Sequence, residues 1–323
     1  MTGEHPSTVT DEQPSPASGR EVAARIGTVG VWSPQLQWQP ASLAKDAVAE
    51  MEELGFGAVW IGEATGKEVL THAALLLSGS RRIVVATGIA SIWGRDPMAM
   101  ANAGRTLAEA FPGRFMLGLG VSHPFLTEPR DRIYRSPLSQ MRAYLDGMDR
   151  APYVGPPAEQ APRVLAALGP KMLALARDRT AGAHPYFVPV EHTAAAREVL
   201  GPHPLLAPEV AVSMDPDRRV GGDLARPYVR RYVELESYAN NLRRLGWAED
   251  MAAGGSTRLV DAMVALGGVD AALARIREHL DAGADHVAVR VLLDDHRRLP
   301  MADLRQLAAA LRLPDPPGPA SRP

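Results

Sequence analysis

Two side chains that can carry protons, Glu63 and His123, each follow an apolar β-type run of the sequence. Glu63 comes directly after GAVWIG (57–62), and His123 comes shortly after RFMLGLG (114–120). An imidazole with its usual pKa of about 6.5 can give or take a proton in a reaction near neutral pH. Both residues are therefore candidate catalytic groups. The structural alternatives are that Glu63 caps the turn after it and that His123 hydrogen-bonds within its own loop.

The segment AALGPKM indicates a second kind of chemistry, which is anion binding. It places Ala167, Leu168 and Gly169 between the end of a predicted strand and a helix that Pro170 opens. Free backbone N–H groups and the positive end of a helix dipole hold phosphate groups at such positions. The alternative is an ordinary strand-to-helix turn, with proline at the first helical position.

The sequence lacks the signatures of several common catalytic classes. With no cysteine among 323 residues, it has no disulfide framework, thiolate metal site or cysteine nucleophile. It has no G-x-S-x-G elbow, P-loop lysine or H-E-x-x-H motif, and a helix would not present His184, His192 and His203 together to a metal. We therefore expect no metal site. We infer that a bound organic cofactor carries the chemistry, while the chain supplies shape, anion contacts and proton transfer.

Eight apolar runs that alternate with helical patterns predict the scaffold of these residues. The runs span 26–32, 57–62, 82–90, 114–120, 163–168, 182–188, 209–214 and 286–292. The helical patterns have apolar residues at three- and four-residue spacing, with caps at Ser42 and at Asp96-Pro97. This alternation predicts an α/β fold, a single-domain (β/α)8 TIM barrel. A doubly wound sheet is the competing fold, but its G-x-G-x-x-G fingerprint does not follow the first run.

In such a barrel the functional residues follow the carboxyl ends of the strands. The positions that this rule places around one mouth are Trp32, Glu63, Gly88–Trp93, Gly120–His123, Leu168–Pro170 and Met214. Of these, Trp32, Trp93 and Met214 are the predicted apolar walls of a pocket for a small-molecule substrate. The alternative is that these large side chains belong to the core.

The ends and the charge of the chain predict its surroundings. Residues 1–24 and 314–323 are polar and rich in proline, so we expect two disordered tails around a barrel domain at 25–313. A net charge of -2 provides no general basic surface for nucleic acid or an anionic membrane. No apolar run approaches the roughly 20 residues that span a bilayer, and the start lacks an export pattern. We therefore expect a cytoplasmic protein without nucleic-acid or membrane partners.

Three stretches together resemble the luciferase-like superfamily, specifically its branch of oxidoreductases that depend on the deazaflavin coenzyme F420. They are GFGAVWIGE, VVATGIASIWGRDPMAMANAGRTLAEAFPGRFMLGLGVSH and AALGPKMLALARDRTAGAHPYF. The resemblance covers residues 25–313 and is most specific over 86–123. It implies a cis peptide bond between Gly88 and Ile89 behind the middle ring of the cofactor. Without the resemblance, an ordinary trans β-bulge at Gly88 is favoured.

The resemblance also implies roles for individual residues. The cofactor-binding residues that it implies are Gly88, Ile89, Glu63, Gly120, Ala167, Leu168, Gly169 and Gly182. Among these, the first part of the AALGPKM segment matches the phosphate site. His123 and Glu63 match positions near the cofactor and are the implied proton-handling residues. Lys171 and Arg163 are candidates to meet the acidic tail of the cofactor.

One position departs from the family pattern. Ala64 stands where the sugar-phosphate dehydrogenases of the family have a catalytic histidine, so we expect reduction of an unsaturated substrate rather than alcohol oxidation. The first alternative is an FMN-dependent monooxygenase, because the two cofactors share a tricyclic ring and a phosphate site. The second alternative is a cofactor-binding barrel without turnover.

Residues 225–247 are predicted to form one helix with tyrosine and leucine along one face. In relatives, a comparable helix lies near the substrate entrance. A stripe of this kind packs either onto the barrel or onto a second subunit. We expect a homodimer.

Overall fold

The predicted apolar runs form parallel strands whose side chains are almost all buried. The computed structural model describes residues 17–130, 134–156 and 159–313. Within these residues the strands are β1 (Val29–Trp32), β2 (Ala58–Ile61), β3 (Val84–Thr87), β4 (Ala90–Ser91), β5 (Phe115–Gly120), β6 (Arg163–Leu165), β7 (Gly182–Ala183), β8 (Leu205–Leu206), β9 (Glu209–Val212), β10 (Val264–Ala265) and β11 (Val287–Val291). Each of the eight predicted runs contains a strand, while β8 and β10 lie outside those runs.

The sheet closes into a barrel. Its strands pair in the order β10, β9, β11, β1, β2, β3, β5, β6, β7 and β8, and β4 pairs with β5. Only Ala207 and Pro208 separate β8 from β9, so the two segments act as one strand between β7 and β11. The Ala207 N–H donates to Ala183 O on one side, and the Ala288 N–H donates to Pro208 O on the other, both at 2.9 Å. The predicted (β/α)8 fold class is confirmed.

Helices surround this barrel. Those in the described residues are α1 (Gly19–Ile26), α2 (Ala41–Glu53), α3 (Val69–Ser78), α4 (Pro97–Ala110), α5 (Pro124–Thr127), α6 (Pro137–Asp149), α7 (Pro170–Arg179), α8 (Val190–Leu200), α9 (Arg218–Val233), α10 (Glu236–Arg244), α11 (Thr257–Met263), α12 (Gly268–Asp281) and α13 (Met301–Leu311). None of these helices is long and apolar enough to cross a membrane.

One of the two predicted helix caps is correct. Asp96 caps α4, because its Oδ1 accepts from the Ala99 N–H at 3.0 Å and Pro97 occupies the first turn. Ser42 does not cap α2. That helix begins at Ala41 after Pro40, which already holds the cap position, so Ser42 falls inside the first turn.

The predicted boundary of the N-terminal tail is wrong, because residues 19–24 belong to α1. Ser18 and Glu21 form a reciprocal capping box at the start of that helix. Val22 and Ile26, four residues apart, are buried in the same core cluster as Trp60, which lies inside the barrel. The helix is short, and its packing on the barrel rather than its composition stabilises it. Residues 1–16 and 314–323 lie outside the described residues.

The helix predicted over 225–247 is two helices. The backbone of Leu235 is extended, with φ −89° and ψ 121°, and it separates α9 from α10. No glycine or proline marks this break in the sequence. The break lets Tyr232 and Tyr238 approach each other from different helices, with ring centres 5.2 Å apart.

The barrel interior beneath the mouth is filled by one indole and two imidazoles. The Trp60 ring stacks on His184 with 4.1 Å between ring centres, and its Nε1 donates to Nε2 of His286 at 3.1 Å. Nδ1 of each histidine contacts a backbone carbonyl, Ala207 O for His184 and Gly27 O for His286. Burial lowers the pKa of both histidines to about 4, so these rings are neutral packing elements at neutral pH.

Candidate active site

A cavity of about 600 Å³ opens at the carboxyl ends of the strands, where the barrel rule placed it. Nine of the predicted site residues line it: Trp32, Glu63, Gly88, Ile89, Gly120, His123, Ala167, Leu168 and Gly169. The lining also includes residues of α9 and α10, among them Arg231, Tyr232, Tyr238 and Arg244. The second half of the chain therefore contributes one wall of the cavity.

The floor of the cavity is the Gly88–Ile89 segment after β3, and the bond between these residues is cis, as predicted. Three hydrogen bonds hold the segment. The Gly88 N–H donates to Ile61 O at 2.7 Å, Trp32 Nε1 donates to Gly88 O at 3.1 Å, and the Glu63 N–H donates to Ile89 O at 3.1 Å. Gly88 and Ile89 both line the cavity, and the backbone atoms named here already have partners within the protein, so a ligand can lie against the segment without replacing these bonds.

A glycine next to the floor keeps it in place. A methyl group built on Gly120 would lie 2.5 Å from Cγ1 of Ile89, which is closer than side-chain atoms pack. The Ile89 side chain occupies the space that a larger residue at position 120 would need. Gly120 therefore lines the cavity and makes room for Ile89, while its predicted role in binding the cofactor stays a prediction.

Glu63 lines the cavity, but its carboxylate is engaged by other residues. It accepts from the Ser91 N–H at 2.7 Å and forms two hydrogen bonds with Arg95, at 2.6 and 3.1 Å. Arg95 also binds Glu68. Burial by itself would lower the pKa of Arg95, but hydrogen bonding to Glu63 and the charges of both carboxylates raise it. These partners lie in the segment after β3 and not in the turn after Glu63, so Glu63 does not cap that turn as the structural alternative stated; the carboxylate instead holds Ser91 and Arg95. The proton-transfer role stays a prediction.

His123 lies on the cavity wall between two aromatic rings. Its ring centre is 5.8 Å from that of Phe125 and 5.4 Å from that of Tyr238. Burial lowers the pKa of His123 below its usual value. The imidazole is therefore neutral at neutral pH, so it can donate or accept a hydrogen bond and can take up a proton.

The predicted anion site lies where α7 begins, at cavity-lining Gly169. Gly169 holds the cap position with an extended backbone (φ −91°, ψ 156°). Pro170 has no N–H, and the Met172 and Leu173 N–H groups both donate to Gly169 O at 3.0 Å, so the Lys171 N–H is the first-turn donor left for an anion. The guanidinium of Arg244 is adjacent, because a methyl group built on Gly169 would lie 3.4 Å from its Nη2. Asn241 Oδ1 accepts from the same Nη2 at 3.1 Å. An anion here would meet a helix N-terminus and a full positive charge together.

Arg244 was missed by sequence reasoning, and the two basic residues that were predicted do not lie here. Arg163 binds Asp149 at 2.7 Å, at the start of β6 and away from the mouth. Lys171 is not among the residues that line the cavity. Arg244 lies on α10, far along the chain from Gly169, so no local pattern connects the two.

Three predicted site residues do not line the cavity. Gly182 begins β7, and a side chain there would collide with the backbone of Leu205 on the neighbouring strand, so its role is strand packing. Trp93 packs against the main core cluster, and its Nε1 donates to Val121 O at 2.7 Å. Met214 lies two residues beyond the end of β9 and is buried in the same main core cluster as Val212.

Sequence reasoning also missed a polar cluster behind one wall. Arg290 lies in the middle of β11, and its Nη1 donates to the hydroxyl of Tyr186, which lines the cavity. Glu209 begins β9 and is buried. The sequence contained one sign of this cluster. Arg290 is a charged residue inside the apolar strand run HVAVRVL, and a charged residue in such a run is uncommon unless it has a buried partner.

Comparisons with known proteins place this geometry in context. A family model described as luciferase-like monooxygenase matches residues 26–286. A Mycobacterium tuberculosis protein, named as a candidate coenzyme F420-dependent oxidoreductase, is 33% identical over 128 residues. That match covers 39% of this chain and 36% of the relative, so it spans about a third of the relative's length.

Several solved structures have a similar fold. An F420-dependent secondary alcohol dehydrogenase in complex with an F420-acetone adduct has a TM-score of 0.70 at 14% identity, over 88% of this chain and 99% of that chain. The F420-dependent tetrahydromethanopterin reductase of Methanopyrus kandleri has a TM-score of 0.70 at 16% identity, over 87% and 98%. The oxygenating constituent of 3,6-diketocamphane monooxygenase from Pseudomonas putida, in complex with FMN, has 0.63 at 15%, over 91% and 98%.

Proposed function

This chain belongs to the luciferase-like monooxygenase family, whose members are enzymes, and from that premise we propose that it is a coenzyme F420-dependent oxidoreductase. The observation that carries the proposal is that the Gly88–Ile89 segment and the start of α7 with Arg244 line one cavity of about 600 Å³. A cavity of this size is within the range that holds cofactors and small ligands. The name of the Mycobacterium tuberculosis relative supports the same cofactor.

The residues present fit a flat cofactor that carries a phosphate. The floor at Gly88–Ile89 suits the ring, and the first turn of α7 with Arg244 suits the phosphate. Arg231 and Arg244 are both exposed at the mouth and suit an acidic tail. When bound in its reduced form, coenzyme F420 supplies a hydride from C5 of its ring.

The chain's own residues then determine the substrate and the direction. Trp32, Tyr186 and Leu235 provide apolar and aromatic surface above the floor, which favours a small organic molecule with an unsaturated bond. Neutral His123 can hydrogen-bond to such a substrate, and it can accept a proton if the reaction runs toward oxidation. Ala64 provides no base next to Glu63, so reduction is the direction that we propose.

The fluorescence of F420 provides the first test. We expect titration of the purified chain with F420 to show saturable binding, and we expect Arg244→Met to weaken that binding roughly 10- to 100-fold, because a charge-assisted hydrogen bond to phosphate is lost. Arg226→Met is the matched control, since Arg226 binds Thr257 Oγ1 at 3.2 Å and neither residue lines the cavity. Equal loss in both variants would place the anion site elsewhere.

FMN-dependent oxygenation is the second candidate function. The family name and the FMN-bound structural neighbour favour it, and the same floor and anion site suit FMN. The same titration separates the two functions. Binding of FMN without binding of F420 would overturn our first proposal. If F420 binds, the substrate class is then tested by following oxidation of the reduced cofactor with enones, imines and aldehydes.

A further inference from the structure

A series of hydroxyl groups leads from the cavity wall to a buried carboxyl group. Tyr186 and Tyr232 line the cavity, and their hydroxyl oxygens are 2.9 Å apart. The Tyr228 hydroxyl interacts with that of Tyr186 and lies 3.2 Å from Oε1 of Glu209. Tyr228 and Glu209 are both buried behind this wall. These three tyrosines and Glu209 form what we term the hydroxyl relay.

Arg290 places a fixed positive charge beside the hydroxyl relay. Its Nη1 donates to the Tyr186 hydroxyl, and its guanidinium carbon is 4.8 Å from the ring centre of Tyr228 and 5.1 Å from that of Trp32. Because a guanidinium group has donors and no acceptor, the Tyr186 oxygen must accept from it. The charge also stabilises any negative charge that develops on the neighbouring hydroxyls.

The protonation of Glu209 sets the direction of the hydrogen bonds along the relay. When Glu209 carries a proton, it donates to Tyr228, Tyr228 donates to Tyr186, and Tyr186 donates to Tyr232. The Tyr232 hydrogen is then available to the cavity. When Glu209 is ionised, it accepts from Tyr228 and the order reverses, so the hydrogens point inward. The relay therefore presents a donor to the cavity in one state and an acceptor in the other.

Glu209 is the relay member that changes charge near neutral pH. Burial raises its pKa to about 7, although the charge of Arg290 and hydrogen bonds from the Phe187 N–H and Tyr228 oppose the rise. The tyrosines that interact electrostatically with Glu209 are Tyr186, Tyr228 and Tyr238. Burial raises the pKa of each of these tyrosines well above its usual value, so they keep their protons.

Neutral His123 supplies no proton readily, and a reduction requires one. On the premise of the proposed reductase function, we propose that the Tyr186–Tyr232 pair binds the oxygen of a carbonyl or enone substrate and that Glu209 is the proton store behind it. In the balanced step the substrate carbon gains a hydride with its electron pair from the reduced cofactor, the carbon–oxygen π bond breaks, and the oxygen gains a proton from the hydroxyl pair. In an enone, the hydride adds to the far carbon and the resulting enolate oxygen takes that proton.

The relay then returns to its starting state. Each hydroxyl takes a proton from the next, and Glu209 is left as a carboxylate beside the positive charge of Arg290. Water in the open cavity returns a proton along the same hydroxyls after the product leaves. Tyr186 and Tyr232 are catalytic residues in this scheme, while Tyr228 and Glu209 act through them as positioning residues.

A neutral chromophoric aldehyde tests the proposal without requiring turnover. The absorption band of 4-(dimethylamino)cinnamaldehyde moves to longer wavelength when a donor polarises its carbonyl oxygen. With the full chain and no added cofactor, we expect the bound probe to be shifted at about pH 6 and the shift to be lost as the pH rises through the Glu209 pKa of about 7. A band that is unshifted at about pH 6, or that is equally shifted at about pH 8, overturns the proposal.

Variants separate the members of the relay. We expect Tyr232→Phe to abolish the shift and to weaken probe binding about tenfold, as loss of one hydrogen bond does. Glu209→Gln should keep the shift at every pH, because its amide donates permanently to Tyr228. Tyr228→Phe should also remove the pH dependence, because it breaks the link between Glu209 and Tyr186. If Glu209→Gln does not fold, Tyr228→Phe therefore tests the same dependence on Glu209. A shift that survives in Tyr232→Phe overturns the proposal.

The control and the cofactor titration keep this test distinct from that of the proposed function. Tyr153→Phe makes the same chemical change at a tyrosine that contacts Arg105, away from the cavity, and should leave the shift unchanged. F420 binding without a probe shift overturns the relay only. A pH-dependent probe shift without F420 binding overturns the proposed cofactor, while the carbonyl site stands.

Discussion

At the residue scale, Glu63 and His123 show how neighbours decide what a polar side chain does. Both were expected at the mouth from their positions after strands, and both are there. Glu63 is held by Arg95, whereas His123 lies among aromatic rings. The sequence predicted their location because strand ends are local features. It could not predict that Arg95 would fold back onto Glu63, because that contact depends on the path of the loop after β4.

Charge removal at the two carboxylates that share Arg95 should have unequal effects. The side chain of Glu63 is 4% exposed and that of Glu68 is 48% exposed. We expect Glu63→Gln to lower the free energy of unfolding by about 1–3 kcal/mol, since Arg95 loses its buried partner. Glu68→Gln, the matched control, should cost under about 1 kcal/mol. Urea denaturation of both variants measures the difference, and equal costs would contradict this account.

At the scale of elements, the strand β5 and the segment after β3 determine the shape of the floor. The apolar runs correctly predicted the strands β3 and β5. The family resemblance implied the cis bond at Gly88–Ile89 that the structure contains. The break between α9 and α10 was not predicted, because no helix-breaking residue accompanies it. That break places Tyr232 and Tyr238 on the same wall, so the least predictable element boundary is also one that shapes the site.

Two glycines on neighbouring elements should respond in opposite ways to alanine. A methyl group at Gly120 would meet Ile89 at 2.5 Å, whereas one at Gly104 within α4 would meet Leu117 at an ordinary 3.6 Å. We expect Gly120→Ala to cost about 1–3 kcal/mol of stability and to weaken F420 binding by displacing Ile89. Gly104→Ala should stabilise the chain by up to about 1 kcal/mol through helix propensity. Thermal unfolding and F420 titration of both variants test this, and unchanged binding in Gly120→Ala would contradict it.

At the scale of the whole molecule, the barrel buries polar groups that composition alone does not reveal. Five histidines lie in the interior or beneath the helices, and burial is the main cause of their lowered pKa. The values fall to about 4 for His72, His184, His192 and His286 and to about 3 for His279. The tyrosine stripe of α9 and α10 packs within the chain, so it is not a reason to expect a second subunit. The homodimer stays a prediction.

These histidines should make the fold sensitive to acid. Below pH 6.5 the unfolded chain takes up protons that the folded chain does not, so the stability that neutral burial provides is lost as the pH falls from about 6.5 toward 4. Each buried histidine lowers the free energy of unfolding by up to roughly 3 kcal/mol when the pH reaches about 4. For the five histidines together, this loss approaches the total free energy of unfolding of a typical protein. Glu209 has the opposite effect on stability, because burial raises its pKa to about 7 and the folded chain takes up this proton before the unfolded chain does. This gain comes from one group, whereas the loss comes from five histidines. We expect the molecule to unfold before about pH 4.

Urea denaturation as a function of pH measures this sensitivity. His279→Gln should reduce the loss of stability between about pH 6.5 and 4, because one buried imidazole is removed. His203→Gln changes an exposed histidine and should leave the pH dependence as it is. A free energy of unfolding that is the same at about pH 7 and about pH 4.5 would contradict the account.

The sequence by itself determined the barrel, the positions of its strands and the end at which the site lies, because apolar runs, helical spacing and caps such as Asp96 are local and follow from neighbouring residues. Only the tertiary structure decided which side chains meet there. Closure of the barrel brings Arg244 to Gly169 and Arg290 to Tyr186, pairs that are far apart along the chain. It also packs Trp93 and Met214 against the core instead of the cavity, because both lie just beyond strand ends, where the path of the chain depends on contacts with distant elements and not on local periodicity.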